Sequence, residues 1–347
     1  MYAGSRERSA MRRALDLART PGVPFGPNPR VGCVLLDPAG DAVAEGYHRG
    51  AGTPHAEAAA LTAAGDRACG ATAVVTLEPC NHTGRTGPCA QALVTAGVRR
   101  VVFAQADPSP QAAGGAETLR AAGVDVEAGL LADEARAVNP AWTFAVEHRR
   151  PFVTWKLAAT IDGRSAAADG TSRWISSVAA RRDTHLLRQH CDVVLAGTGT
   201  VLVDDPELSA RDDADRPLPA DRQPLRAVMG LREVPAHARV RNAVAETVLL
   251  RTQDPKEALT ELFARGGRHV LLEGGPRLAA AFLGQGYVDE VVAYIAPMLL
   301  GAGAASVGDL GVRTIADAHR LEVVDITVLG EGADRNVRLT LTVPREA

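Results

Sequence analysis

The sequence predicts an α/β protein built from two domains, and three observations carry that expectation. The chain is 347 residues long, against roughly 100–200 residues for a single core. Short β-branched runs alternate with segments whose apolar residues recur at helical spacing, the pattern of a largely parallel sheet covered by helices. Hydrophobic residues make up 46% and charged residues 23% of the chain, a balance that suits folded domains rather than disorder.

Taken in order, Ser9 to Ala18 carries Met11, Ala14, Leu15 and Ala18 at helical spacing and stops at the Pro/Gly-rich “TPGVPFGPNP”. The runs “VGCVLLD” (31–37) and “AVAEGY” (42–47) read as paired strands around the turn “PAGD”, and “HAEAAALTAAG” (55–65) as a helix entered through Thr53-Pro54. Strand-like “ATAVVTLEP” (71–79), helical “CAQALVTAG” (89–97), strand-like “RRVVFAQAD” (99–107) and helical “GGAETLRAAG” (114–123) continue the alternation. A helical stretch from Leu130 to His148 ends at Arg149-Arg150-Pro151, which sets the expected domains at 1–148 and 149–347. Beyond it, “PFVTWKLAATIDGR” opens a strand-rich section that alternates “CDVVLAGTGT” (191–200), “ETVLLRT” (246–252), “DPKEALTELFARGG” (254–267), “HVLLEGG” (269–275) and “PRLAAAFLGQG” (276–286). It closes on the strands “VDEVVAYIAP”, “LEVVDITVLG” and “NVRLTLTV”, while the Asp/Pro-rich span 204–224 reads as an exposed loop. No internal repeat is apparent.

Composition excludes several function classes. Thirty-eight Lys and Arg against 41 Asp and Glu leave a formal charge of −3, with no long basic block, so nucleic acid is not expected as a partner. The N-terminal “MYAGSRERSAMRR” is basic but runs into “ALDLART” rather than an apolar h-region, so no signal peptide is expected. The longest apolar run, Val291 to Ala305, is broken by Pro297 and glycines and is too short to span a bilayer. The expected setting is cytoplasmic, with no membrane partner. Five cysteines (Cys33, Cys69, Cys80, Cys89, Cys191) in such a setting stay reduced, and clustered ones point to metal or catalysis before disulfides.

Cys80 and Cys89 bracket “EPCNHTGRTGPC” (78–89), and His55-Ala56-Glu57 lies upstream. His-x-Glu, then Pro-Cys, then a second Cys is the order of zinc deaminases. Two thiolates and one imidazole hold zinc tetrahedrally and leave one position for water, the arrangement of a catalytic site rather than a structural one. Zinc brings the pKa of that water from about 15.7 to about 7. Glu57, close by without being a ligand, suits proton transfer to a departing nitrogen. On an ideal helix His55 and Glu57 stand about 200° apart, so both are expected near the first turn. One Zn2+ per chain follows. His82 is left out because His55 completes three ligands, and Cys33 and Cys191 read as core sulfur. Eight residues separate the two cysteines, where the generic signature has two. That polar interval, with Arg85 beside the metal, suggests a larger, phosphorylated substrate.

The second section lacks G-x-G-x-x-G after a strand, so an ordinary Rossmann domain is not expected. It has “GTGT” (197–200) closing a strand, and “LLEGGPRLAAAFL” (271–283), where two glycines lead into a helix with Pro276 near its first position. Such a turn offers free N–H groups to an anion.

“PNPRVGCVLL”, “GYHRGAGTPHAEAAAL”, “TLEPCNHTGRTGPC” and “QADPSP” together closely resemble the deaminase half of bifunctional riboflavin-biosynthesis deaminase/reductases. “WKLAATIDGR”, “GTSRWISS”, “ARRDTHLLR”, “GTGTVLVDDPELSAR” and “EGGPRLAAAFL” resemble the reductase half, and the similarity covers nearly the whole chain. The resemblance implies a cytidine-deaminase-like α/β/α domain followed by a dihydrofolate-reductase-like α/β domain. It implies His55, Cys80 and Cys89 as zinc ligands, Glu57 as the catalytic residue, and Asn28, His48, Arg85, Asp107 and Ser109 at the deaminase substrate. Ala158, Trp174, Thr200, Asp204 and Gly275 are implied at NADPH, and Lys156, Ser172, Arg188, Leu208, Arg211 and Glu273 at the reductase substrate. Arg188 and Arg211 are expected to clamp a ribose 5-phosphate, while Lys156, Asp204 or Glu273 assists proton delivery. Asp205, Arg181, Arg182 and Asp183 read as surface charge or capping. The segment “RAVMGLREVP”, with Met229-Gly230, departs from an aspartate-containing segment of many relatives.

The expectation is a two-domain enzyme, a homo-oligomer (dimer or tetramer), that deaminates a small phosphorylated pyrimidine and then reduces its ribosyl chain with NADPH. Two rivals stand beside it: a zinc deaminase of another nucleobase or nucleoside with an inactive reductase-like domain, and a structural zinc module in a binding protein.

Overall fold

A computed structural model describes residues 4–82 and 87–344 of the chain. They form two compact units, Met1–Arg149 and Arg150–Ala347. Among the described residues all five cysteines are free, and no helix is long and apolar enough to cross a membrane.

The first unit runs α1 (Ser5–Ala18), β1 (Gly32–Leu36), β2 (Ala42–Tyr47), α2 (Ala56–Ala64), β3 (Thr72–Leu77), α3 (Cys89–Thr95), β4 (Arg100–Gln105), α4 (Gly115–Ala121), β5 (Asp125–Ala128), α5 (Ala132–Arg136) and α6 (Pro140–His148). Its strands lie in the order β2-β1-β3-β4-β5, with β1 antiparallel to both neighbours and the rest parallel. Alternate side chains leave opposite faces of a strand. Cys33, Leu35 and Val75 accordingly pack with Ala56, Ala60 and Leu93 of α2 and α3, while Val34, Leu36 and Val74 pack with Met11, Ala14 and Leu15 of α1. The sheet is therefore covered on both faces. Two glycines set how closely the helices approach. A Cβ on Gly46 would lie 2.3 Å from the Ala56 carbonyl oxygen, and one on Gly115 would lie 1.8 Å from that of Pro79. The start of α2 is held to β2 by the first contact, and the Pro79-Cys80 turn to α4 by the second.

The second unit runs β6 (Phe152–Thr160), α7 (Val178–Gln189), β7 (Val193–Gly197), α8 (Thr198–Asp204), β8 (Leu225–Met229), β9 (Thr247–Leu250), α9 (Pro255–Ala264), β10 (His269–Leu272), α10 (Pro276–Gly284), β11 (Glu290–Ala296), β12 (Glu322–Leu329) and β13 (Asn336–Thr342). The sheet order is β12-β13-β11-β6-β10-β7-β8-β9. From β11 to β9 the strands are parallel, and β13 runs antiparallel to β11 and β12. Val193, Leu195 and Met229 join a core with Leu259, Leu262 and Phe282 from α9 and α10, and Val194, Ala196 and Val228 face a second one.

Two expectations are corrected here. Residues 197–200 do not simply close a strand: Gly197, with extended backbone at φ −85° and ψ 153°, caps α8, and Val201 then turns into the core. Nor is 204–224 exposed throughout, because Leu208, Ser209 and Ala210 are buried and Leu208 packs in the same core as Val201. Burying one such side chain stabilises by about 1.5–3 kcal/mol, enough to pin a polar loop at one point.

Candidate functional site

His55 is the residue before α2, Cys89 is the first residue of α3, and Cys80 follows β3 after Glu78-Pro79. Their ligand atoms converge. His55 Nδ1 lies 3.5 Å from Cys80 Sγ and 3.3 Å from Cys89 Sγ, and all three atoms fall within 4.8 Å of one another. Tetrahedral zinc with Zn–S of about 2.3 Å and Zn–N of about 2.0 Å needs an N–S edge of about 3.5 Å, so this donor set fits the ion. No other such cluster of His, Cys, Asp or Glu occurs among the described residues. The sulfur chemistry agrees. The hydrogen bond between the two thiols draws Cys80 down to about 4, and the same bond, with burial, pushes Cys89 up. Facing each other alone, the sulfurs share a proton; a dication between them takes that proton's place.

Glu57 lies in the first turn of α2, 3% exposed, and burial pushes its carboxyl up to about 7. It contacts the Cys89 thiol without joining the ligand set. The His48 ring stands 5.4 Å from that of His55. His48 Nδ1 faces the Pro54 carbonyl oxygen at 3.1 Å, and its Nε2 faces Asn28 Nδ2 at 3.2 Å. A carbonyl only accepts, so Nδ1 carries the proton and Nε2 accepts from the Asn28 amide. The ring is then neutral, in keeping with burial lowering its pKa, and the Asn28 carbonyl oxygen stays free of His48. Asp107, pushed up to about 6 by burial, accepts the Ser109 N–H at 2.8 Å. Its own N–H donates to Glu78 Oε2 at 3.3 Å and ties this turn to the one carrying Cys80. Arg85, in the interval 83–86, lies outside the described residues.

In the second unit every residue expected at the cofactor or reductase substrate lines one cleft of 830 Å³. Lys156 and Ala158 come from β6, Ser172 and Trp174 from the turn before α7, and Arg188 from α7. Thr200 and Asp204 come from α8, Leu208 and Arg211 from the loop after it, and Glu273 and Gly275 from the turn after β10. A Cβ on Gly275 would meet nothing within 4 Å, so the backbone of that turn is open where Pro276 starts α10. Gly274 is closed in: its Cβ would lie 2.7 Å from Leu278 Cδ2.

Charge in the cleft is already partly paired. Arg188 Nε and Nη2 donate to Glu273 at 2.6 and 2.8 Å, and its Nη1 donates to the Ser209 carbonyl oxygen at 2.9 Å. The Arg188 fork is thus turned to Glu273, within the cleft it was expected to line. Burial by itself raises Glu273, but the Arg188 guanidinium outweighs this and holds the carboxyl below its ordinary value. Lys156 is shifted the other way, with burial lowering it against the opposing charge of Glu273. Its Nζ lies 5.8 Å from the Tyr294 ring centroid. Arg211 donates to Glu207 at 2.8 Å.

Some contributors were not read from sequence. Asp183, expected as surface charge, accepts the Tyr294 hydroxyl at 2.6 Å and Arg338 Nη1 at 3.0 Å. Arg181 stacks 4.3 Å over the Trp174 ring and lines the cleft together with Thr184 and His185. With Arg188 these residues recur every three or four positions, one stripe of α7, and that spacing is the signal by which they can be found.

Comparison with known proteins follows the same division. The family description “Cytidine and deoxycytidylate deaminase zinc-binding region” matches residues 5–105, and “RibD C-terminal domain” matches residues 151–333. The riboflavin biosynthesis protein RibD of Mycobacterium tuberculosis is 50% identical over 88% of this chain and 89% of its own length. That of Escherichia coli is 42% identical over 92% and 96%. Among solved structures, Acinetobacter baumannii RibD superposes with a TM-score of 0.88 at 35% identity, covering 97% of this chain and 98% of its own. A Thermotoga maritima diaminohydroxyphosphoribosylaminopyrimidine deaminase/5-amino-6-(5-phosphoribosylamino)uracil reductase gives 0.83 at 30%, covering 98% and 99%.

Proposed function

This chain belongs to the RibD family of bifunctional riboflavin-biosynthesis deaminase/reductases, and from its two sites we propose how its own residues perform the two steps. The first unit deaminates 2,5-diamino-6-ribosylamino-4(3H)-pyrimidinone 5′-phosphate. The second reduces the ribosyl chain to ribityl with NADPH. The observation that carries this reading is the spacing of His55, Cys80 and Cys89, which suits a tetrahedral ion, with the buried Glu57 carboxyl, pushed up to about 7 by burial, beside Cys89.

In the deaminase site His55 Nδ1, Cys80 Sγ and Cys89 Sγ would hold zinc, which when bound supplies the Lewis acidity that makes water a nucleophile near neutral pH. Deamination forms a C–O bond at pyrimidine C2, breaks the C–N bond and releases ammonia. Glu57 carries the proton from the water oxygen to the departing nitrogen; a carboxyl near pH 7 both accepts and returns a proton readily. The Asn28 amide, oriented by neutral His48, presents its carbonyl oxygen to the substrate, and Asp107 with Ser109 forms part of the same substrate site. Arg85, from its position in the polar interval between the two cysteines, is the group we assign to the phosphate.

In the reductase cleft Ala158, Trp174, Thr200, Asp204 and Gly275 would hold NADPH, which supplies the hydride. Glu273 is kept ionised by Arg188 and is a poor acid, whereas Lys156 carries a proton whose release burial favours. Lys156 is therefore the group that protonates the sugar oxygen as hydride reaches the neighbouring carbon, with Ser172, Leu208 and Arg211 placing the substrate. The unpaired edge strand β12 exposes Val324, Ile326 and Val328 at 63%, 63% and 59%, which supports self-association through this edge. Free thiols throughout the described chain support a cytoplasmic setting.

Two variants of the full chain separate the halves. Glu57→Gln stops ammonia release from the diamino substrate but still oxidises NADPH when given the deaminated intermediate; Lys156→Met does the reverse. Ammonia released with no NADPH oxidised by the unaltered chain supports a deaminase with an inactive second unit instead.

A further inference from the structure

Asn139 stands immediately before α6, with Pro140 at the first helical position, where an asparagine usually caps the helix with its side chain. Here it makes no such cap. Its Oδ1 instead accepts the Arg30 N–H at 2.8 Å, and its Nδ2 donates to the Arg30 carbonyl oxygen at 2.8 Å. One side chain thus satisfies both main-chain groups of a residue 109 positions away, as a neighbouring strand would. Both residues are buried, and leaving either main-chain group unpaired in the interior is costly. The Arg30 backbone is therefore held where Asn139 puts it.

That placement reaches the deaminase site from two sides. Arg30 lies two residues after Asn28, whose amide pairs with His48 Nε2, and the next residue, Val31, accepts the His48 N–H at 2.9 Å. The clamp on Arg30 sits between these two contacts to His48. The Arg30 guanidinium turns back to the Thr20 carbonyl oxygen and lies 4.5 Å from the centroid of the Phe25 ring, which ties down the chain before Asn28. α6 has an anchor of its own. One helical turn after Asn139, the buried Thr143 accepts Gln105 Nε2 at 3.1 Å. The Gln105 carbonyl oxygen in turn accepts the N–H of Glu78, two residues before Cys80, at 2.9 Å. A chain of buried hydrogen bonds therefore links the turn carrying Cys80, through α6, to the segment carrying Asn28.

We propose that Asn139 is a positioning residue of the deaminase, holding the Asn28 amide in register with His55, Cys80 and Cys89, a proposal that rests on the reading of Asn28 as a substrate contact. The test is a double-mutant cycle on the full-length, zinc-loaded chain. Asn28→Ala lowers kcat/KM for ammonia release, and Asn139→Ala lowers it by about 10–100-fold, the cost of misplacing a contact by up to about 1 Å. Because both act through one group, the double variant stays within about threefold of the worse single one. Zinc content, and NADPH oxidation on the deaminated intermediate, do not change in Asn139→Ala. With 15N-labelled histidine, Asn139→Ala shifts the His48 Nε2 resonance in the same direction as Asn28→Ala. Asn139→Asp keeps the acceptor for the Arg30 N–H and loses the donor; it gives a smaller drop with the same non-additivity, and takes the place of Asn139→Ala if that variant does not fold. No drop, drops that multiply in the double variant, an unmoved His48 resonance, or an equal loss of NADPH oxidation overturns the proposal and leaves the deaminase reading standing. An unchanged kcat/KM in Asn28→Ala overturns the assignment of Asn28 to the substrate as well.

Discussion

At the scale of single residues, Glu57 and the three ligands do separable work. Glu57 stands two residues after His55 yet is no ligand, so Glu57→Gln keeps the shape of the site and removes only its proton carrier. Ammonia release is expected to fall by about 10²–10⁴-fold with stoichiometric zinc retained by elemental analysis; a structural zinc module would show no change in any reaction. Cys80→Ser does the opposite, and retention of stoichiometric zinc by that variant would sink the ligand assignment. His55, Glu57, Cys80 and Cys89 were legible in sequence because their chemistry fixes order and residue type. The pairing of Arg188 with Glu273 was not, because the two stand 85 positions apart, and spacing along the chain says nothing about a pair that only the fold brings together.

At the scale of elements, the sites depend on how closely helices approach strands. Gly115 lets α4 reach the Pro79 carbonyl. Gly115→Ala is expected to destabilise the first unit by about 1–3 kcal/mol and to weaken zinc retention against a chelator, since the Pro79-Cys80 turn must shift; a purely local effect would leave zinc affinity untouched. In the second unit His269, at the start of β10, bonds the Thr154 hydroxyl at 2.8 Å and the His190 carbonyl at 3.2 Å, and burial lowers it from 6.5 to about 4. Between those values the unfolded chain binds more protons than the folded one. This contribution is therefore present above pH 6.5 and is lost as pH falls through about 4, some 3 kcal/mol in all. Urea midpoints at pH 7 and pH 4.5 check it: His269→Gln should show a smaller acid loss than the unaltered chain, and an identical loss would exclude His269 as the cause. The periodic elements were visible in sequence, yet α8 was missed because a short helix of Thr, Gly and Val has no amphipathic stripe to distinguish it from a strand end. Leu208 likewise gave no sign, amid prolines and aspartates, that it would enter the core.

At the scale of the whole molecule, the first unit carries the His55, Cys80 and Cys89 cluster and the second carries the cleft. The alternating pattern and the change at Arg149-Arg150-Pro151 made that division readable; the exposed apolar face of β12 was not, since its alternation looks like that of any half-buried strand. Ile326→Lys is expected to lower the mass found by light scattering relative to the unaltered chain, and an unchanged mass would remove β12 as the association surface. The central claim is that one chain performs both steps, and one coupled assay tests it most directly. Ammonia and NADPH absorbance are followed together as purified, zinc-loaded chain meets the diamino pyrimidine phosphate. The account predicts ammonia without NADPH present, and with NADPH a final ratio of one ammonia released to one NADPH oxidised. Full ammonia release with no oxidation of NADPH would contradict it.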